Sequence, residues 1–421
     1  MTSVAGETWF QDTALQRVMA LLNSDGGEAR VAGGAVRNAL MGLAVADVDI
    51  ATTLRPQIVV ERAKAAAIKA VPTGIEHGTV TLVVDGRGFE VTTLRRDIET
   101  NGRHAVVEFG TDWKADAERR DLTINALYAD VAGEVIDLVD GLKDIETRTV
   151  RFIGDASQRI AEDHLRILRF FRFFAYYGSG RPDADGLRAC ARAKDRLSGL
   201  SAERVWMETK KLLAAPDPSR ALLWMRQAGV LTEILPETEK WGIDGIHSLV
   251  AAEKALGWKA EPLLRLSAMV PPDGQRLEAL AKRLRLSNAD MLKLERWAST
   301  PMPPDEVTDV GFARLLYRHG KDGMIFRLKL ALATARVAAE GGDPVAMRKS
   351  ARLSQLLSMA EKYVKPSFPF SGADVMAAGV PAGKRVGEIL KELEEFWVGR
   401  NFLPERPELA TRLSAIVNEG H

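Results

Sequence analysis

GGAVRNALMGLAVADVDIAT, residues 33–52, is the stretch on which the fold turns. A short strand at residues 30–32 enters Gly33-Gly34. Residues 35–41 then carry a helical pattern closed by Gly42, and residues 48–52 read as a second strand. Two glycines let a backbone approach a phosphate closely, the helix behind them presents N–H groups to it, and Arg37 adds a charge-assisted bond. A plain tight turn uses the same glycines, and the pentapeptide Gly33–Arg37 alone does not choose between the two readings. Asp47 and Asp49 flank Val48, and residues two apart on a strand share a face, so both carboxylates can reach shared divalent cations. Asp183-Ala184-Asp185 has the same spacing but sits in a Pro/Gly-flanked turn, where solvation is the plainer expectation.

Outward from this stretch the chain divides at about residue 150. Before it, short β-rich runs alternate with Gly-containing turns. Residues 79–84 and 89–94 form a hairpin around Asp85-Gly86-Arg87-Gly88, and residues 135–139 make a further strand before the turn Asp140-Gly141. In the second hairpin strand Phe89, Val91 and Thr93 share one face. Glu90 and Thr92 share the other, which makes Glu90 either a third carboxylate beside the aspartates or a surface residue. After residue 150 the periods are helical, at 159–177, 202–214, 218–228, 275–286 and 387–397. Pro271-Pro272 and Pro301, Pro303 and Pro304 separate helical groups. The class is α+β: a small mixed-sheet head, then an elongated all-α arm.

Two further segments carry charge in a patterned way. Arg119-Arg120-Asp121 precedes an element start, with Asp121 placed to cap it and the two cations placed either in solvent or on a phosphate. In EDHLRILRFFRF, residues 162–173, helical spacing puts Asp163, Arg166 and Arg169 along one stripe, with Arg172 one step further. The interleaved Leu165, Ile167, Leu168 and Phe171 leave that stripe no broad solvent face, so its charges line a cleft or form an intrahelical ladder. His77, His104 and His164 are isolated and take no chemistry.

The chain has 421 residues, 46% hydrophobic and 27% charged, with a net charge of +1. That length exceeds what one core organises, and the charge announces no global affinity for nucleic acid, so binding would rest on local basic patches. One cysteine, Cys190, excludes an intrachain disulfide and a multi-cysteine zinc site. Residues 1–22 lack the basic start and apolar core of a secretory signal, and no apolar run is long enough for a bilayer span. A cytoplasmic chain without membrane attachment, and with no obligatory protein partner, is expected.

Taken in order, the segments resemble the class II tRNA nucleotidyltransferase and bacterial poly(A) polymerase family, a branch of the polymerase-β-like nucleotidyltransferases. The resemblance rests on GGAVRNALMG at 33–42, DVDIAT at 47–52, TGIEHGTVTLVV at 73–84, RRDLTINALY at 119–128, VIDLVDGLKDI at 135–145, EDHLRILRFFRF at 162–173 and SAERVWMETKKLL at 201–213. It implies a catalytic head (1–150), a neck that reads the base (151–215), a helical body (216–300) and a tail that holds tRNA (301–421). It implies that Asp47 and Asp49, with Glu90 as a candidate third acid, are catalytic, the two aspartates holding a pair of Mg²⁺ ions. Gly33, Gly34, Arg37, Arg120 and Asp121 would meet the nucleotide at the triphosphate, and Asp163, Arg166, Arg169 and Arg172 at the neck helix. The implied reaction is attack of the tRNA 3′-hydroxyl on CTP or ATP, releasing pyrophosphate.

Cytosine and adenine both offer an amino donor beside a ring-nitrogen acceptor, which an Asp163/Arg166 pair matches; uracil and guanine invert that order. Asn38 departs from the family's usual Asp and keeps a hydrogen bond without the charge. The segment 95–113 reads as a polar loop of full length, able to move. Full CCA addition is the first reading; poly(A) synthesis, A-only or CC-only addition, and a non-catalytic nucleotide- or RNA-binding protein on the same fold are the alternatives. In the tail, the Gly-flexed turn 379–387 carries Lys384 and Arg385 ahead of a helix, a candidate grip on an RNA phosphate or a solvated helix entry.

Overall fold

A computed structural model describes residues 2–101, 104–239 and 243–419, with backbone alone at 96–101, 104–107 and 419. Two compact units emerge, Met1–Glu239 and Lys240–His421. The sequence boundaries expected at 150, 215 and 300 fall inside these units.

In the first unit, strands β1 (Ala29–Ala32), β2 (Asp49–Thr52), β3 (Lys69–Gly74), β4 (Thr79–Val84), β5 (Arg87–Thr93), β8 (Leu127–Ala129) and β9 (Val135–Asp137) form one sheet in the order β3-β4-β5-β2-β1-β8-β9. β2 runs parallel to β5, and the other neighbours are antiparallel. β6 (Arg95–Asn101) and β7 (His104–Phe109) pair as a separate two-stranded ribbon. A loop was expected here; instead Arg95 opposes Phe109 and the ladder continues to Asn101 opposite His104. Gly102 and Arg103 lie outside the described residues. The β4–β5 turn is also tighter than expected. Asp85 and Gly86 both take positive φ (50° and 78°), as a two-residue hairpin turn requires, and Arg87 and Gly88 already pair with Val84 and Val83.

The helix Leu165–Tyr177 buries Ile167, Leu168, Phe170, Phe171, Phe173 and Phe174, and Phe170 stacks on Phe152 at 5.3 Å. This apolar face, about 1.5–3 kcal/mol for each fully buried side chain, fixes the helix against residues 150–153 at the end of the head. The single helix expected over 159–177 is two helices, Ala156–Glu162 and Leu165–Tyr177. Asp163 between them is extended (φ −154°, ψ 108°), and its carboxylate accepts from the backbone N–H of Leu165 at 3.1 Å. A short acceptor that satisfies an orphan N–H of the next helix favours such a break. Asp183, expected in a solvated turn, likewise caps the helix Ala184–Ala193 through the N–H of Gly186.

The second unit is helical. Helices Lys321–Glu340 and Pro344–Lys362 pair over Met324, Leu328, Leu332, Leu353, Leu356 and Leu357. Another cluster gathers Val375, Ile389, Leu393, Trp397, Leu409 and Leu413. The expected proline breaks hold: Pro271-Pro272 lie between Pro262–Ser267 and Gly274–Leu284, and residues 300–308 lie between Asn288–Ser299 and Asp309–His319. Among the described residues no helix is long and apolar enough to cross a membrane.

Candidate functional site

The site begins at the turn leaving β1. Gly33 has φ 67° and ψ −109°, a backbone that side chains disfavour, and a Cβ there would lie 3.1 Å from the carbonyl oxygen of Asn125. The chain thereby turns into the helix Gly34–Leu40 and brings Arg37 underneath a cleft of about 590 Å³. The cleft is lined by Gly33, Gly34, Arg37 and Asp49 from the sheet end, by Arg119, Arg120 and Asp121, and by Asp163, Arg166 and Arg169. Residues from four separate sequence segments therefore meet around one space. Arg172 does not line it: its Nε donates to Glu208 at 2.6 Å and its guanidinium lies over Phe173.

Asp47 precedes β2 rather than lying in it, because the strand starts at Asp49. Both aspartates are exposed. Glu90 stands directly across from Asp49 in the parallel β2–β5 register, also exposed, and with Asp49 it lines a smaller recess of about 190 Å³ beside the main cleft. Loss of water around it where it lines the cleft, followed by the charges of Glu90 and Asp47, raises the Asp49 carboxyl above its ordinary value although the residue as a whole is exposed, with Arg120 acting in the opposite direction. An acid held in this way between two others is one whose charged form a cation would favour. Among the described residues no three acidic, histidine or cysteine side chains converge to hold a metal by themselves.

The arginines are held in fixed places. Asp116, only 1% exposed, accepts from Arg119 at 2.6 and 2.8 Å, from Arg120 at 3.1 and 3.2 Å, and from the hydroxyl of Tyr128 at 2.8 Å. Burial acts to raise the Asp116 carboxyl; Arg120, Arg119 and Tyr128 outweigh it and leave it lowered. Asp121 is buried rather than a solvated cap. Its carboxylate accepts from Arg169 Nε at 2.6 Å and from Asn125 at 3.2 Å; these overcome the burial cost and hold it at about 2. Arg166 Nη1 donates to Glu162 and to the carbonyl of Arg159, the latter at 2.8 Å. Asp163 Oδ2 accepts from Arg204 at 2.7 Å. Asp163 thus faces the cleft from the joint between two helices, not from the helical stripe of Arg166 and Arg169.

Asp116, Asn125, Tyr177 and Arg204 were not singled out by sequence reading. Asp116 has a local signal, since Arg119 and Arg120 follow it by three and four residues on the helix Trp113–Glu118 and its cap. Arg204 and Tyr177 have none, because their partners lie 41 and 140 residues away. In the second unit Lys384 and Arg385 do not lie in a turn ahead of a helix. They open the helix Lys384–Gly399, and each lies 3.7 Å from Glu388.

A mixed-sheet head with a di-aspartate edge, an arginine-walled cleft and a helical arm defines a nucleotidyltransferase with a polymerase-β-like head. Comparison with known proteins makes this specific. A "Poly A polymerase head domain" family matches residues 29–151, and a "Probable RNA and SrmB- binding site of polymerase A" matches residues 182–241. The chain is 33% identical over 414 residues to the mitochondrial CCA tRNA nucleotidyltransferase 1 of Mus musculus, covering 94% of this chain and 88% of that one. It is 31% identical over 380 residues to the CCA-adding enzyme of Streptococcus sanguinis, with 90% of each chain covered. The fold superposes on the CCA-adding enzyme of Bacillus stearothermophilus in complex with CTP with a TM-score of 0.66, at 26% identity, over 97% of this chain and 98% of that one. The chain belongs to the family of CCA-adding tRNA nucleotidyltransferases.

Proposed function

We propose that this chain adds C, C and A to the 3′ end of tRNA from CTP and ATP, without a template, and releases pyrophosphate. The observation that carries the reading is the single cleft in which an acid edge, a bank of arginines and the Asp163/Arg166 pair face one another. Asp47 and Asp49 would hold Mg²⁺. The raised Asp49 carboxyl, with Glu90 and Asp47 beside it, fits a divalent cation, and two carboxylates completed by substrate phosphates are the usual magnesium arrangement. When bound, Mg²⁺ supplies charge neutralisation at the attacking oxygen and along the triphosphate. Glu90 is the candidate third acid.

The chain's own residues do the alignment. Gly33 and Gly34 let backbone approach the triphosphate, Arg37 and Arg120 face its charge, and Asp116 keeps Arg119 and Arg120 from folding away. Asp121 acts through Arg169, which it orients along the cleft wall. Asp163 is placed to accept from the amino group of C or A, and Arg166 to donate to the neighbouring ring nitrogen. A carbonyl and an N–H in those positions, as in U or G, would leave both pairs opposed. Arg172 would serve by bracing the neck helix against Glu208. Within the first unit, residues 1–150 would do catalysis and 151–215 would read the base; the second unit, with Lys384 and Arg385, would hold tRNA. A reducing aqueous compartment, the cytoplasm, suits the buried free thiol of Cys190, which burial holds protonated. The length of the segment 95–113, full by the sequence's resemblance to the family, supports the three-nucleotide reading over CC-only addition.

The test uses tRNAs that lack the last three, two or one nucleotides, with CTP and ATP supplied singly and together. The expected products all end in CCA, with CTP alone extending only the first substrate by two and the second by one. Long A tracts, or extension of only one of the three substrates, would overturn the reading in favour of poly(A) synthesis or partial addition.

A further inference from the structure

Five arginines of the cleft each rest on a carboxylate. Arg119 and Arg120 share Asp116, Arg166 takes Glu162, Arg169 takes Asp121, and Arg204 takes Asp163. Arg37 follows a different pattern. Its residue is 7% exposed, and its guanidinium donates only to neutral oxygens: Asn38 Oδ1 from Nε at 3.1 Å and from Nη2 at 2.9 Å, Tyr177 Oη at 2.8 Å, and Asn125 Oδ1. The rings of Tyr177 and Phe173 flank it at 4.1 and 5.4 Å. Asp121, the one acid close enough to act on it, is itself bonded to Arg169.

Neutral acceptors fix the orientation of a guanidinium without cancelling its charge, whereas a carboxylate does both. Four of the five N–H donors are used among the described residues, so one remains for a ligand. A buried cation with no counter-ion is costly, and an anion entering the cleft removes that cost. Burial accordingly disfavours the charged form of Arg37 in the free chain.

We infer that Arg37 is a preset receptor for inorganic polyphosphate, able to hold pyrophosphate with neither a nucleoside nor a divalent cation, and that the neutral amide of Asn38 sets the strength of that hold. The inference rests on the proposed cleft but makes a demand that nucleotide addition does not: affinity that survives removal of metal. Asn38 is a positioning residue here. Its Oδ1 aims Arg37, while its Nδ2 is anchored on the carbonyl of Ala44 at 3.0 Å. An Asp at this position would keep the aim and add a charge about 3 Å from the guanidinium, making the cleft's strongest unpaired cation an internal ion pair.

The experiment titrates the full chain with sodium pyrophosphate in EDTA by calorimetry, comparing wild type, Asn38→Asp and Asn38→Ala after each is shown to melt cooperatively. Wild type should bind. Asn38→Asp should bind at least about tenfold more weakly, and Asn38→Ala within about threefold of wild type, since it removes contacts without adding charge. In turnover, Asn38→Asp should raise the KM for CTP and ATP by the same factor with the choice between them unchanged. Pyrophosphate binding that needs Mg²⁺ in the wild type would overturn the inference, and so would equal losses in the Asp and Ala variants. Neither outcome depends on whether tRNA is extended, so failure of nucleotide addition would count against the proposed function alone.

Discussion

Asp121 ties the head to the neck helix, and its ionisation is a stability statement. The carboxyl is held at about 2 against an ordinary 3.8. A group depressed in the folded state contributes its stability in full above 3.8, and that contribution is lost as pH falls through about 2. Asp121→Asn should therefore cost ~2 kcal/mol at neutral pH, by taking the carboxylate from the half-buried Arg169, and should flatten the acid limb of the stability curve. Urea melts of both proteins between pH 2 and 7 measure this; parallel acid limbs would show that Asp121 is not the group responsible. Asp47→Ala and Asp49→Ala should each abolish nucleotide addition with little change in melting, because both side chains are exposed and anchor no core. Turnover near normal in either variant contradicts their role as metal ligands. Arg120→Ala should raise the KM for CTP and ATP together, whereas Arg166→Ala should mainly admit UTP and GTP, measured as incorporation of all four nucleotides.

At the scale of elements, the Gly-rich turn, the di-aspartate strand and the neck helix were legible from residue 33 to residue 177, because period and turn chemistry are local. What was not legible depends on distance. The 163–164 joint is hidden in a sequence whose helical period continues through it, and the break is chosen by Asp163, whose oxygens serve the Leu165 N–H and Arg204 across 41 residues. The ribbon β6–β7 was hidden because its first strand, residues 95–101, is almost wholly polar and carries no strand alternation. Shortening that ribbon by two residues from each strand should yield tRNA ending in CC, with the two C additions kept, because a paired ribbon beside the cleft can change shape as the 3′ end grows. Equal loss of all three additions would point to misfolding instead.

Over the whole molecule, the two compact units can be tested separately. The second unit contains a fully buried ion pair: Arg265 donates to Glu253 at 2.6 Å, with both side chains under 5% exposed. Glu253→Gln removes the carboxylate from that pair and should cost roughly 3–5 kcal/mol, seen as earlier melting of the second unit alone. Lys384 and Arg385 open a helix, so in the proposed reading an RNA phosphate would meet their charges together with the N-terminal N–H groups. Changing both to Ala should raise the KM for tRNA and flatten its salt dependence while the KM for CTP and ATP stays put. The proposed function requires the cleft of the first unit to serve both nucleotides, and titration of the intact chain with CTP and ATP in Mg²⁺ tests that most directly. One site per chain is predicted, with ATP displacing CTP competitively and UTP and GTP displacing neither at the same concentrations. Two independent sites, or simultaneous binding of both nucleotides, would contradict it.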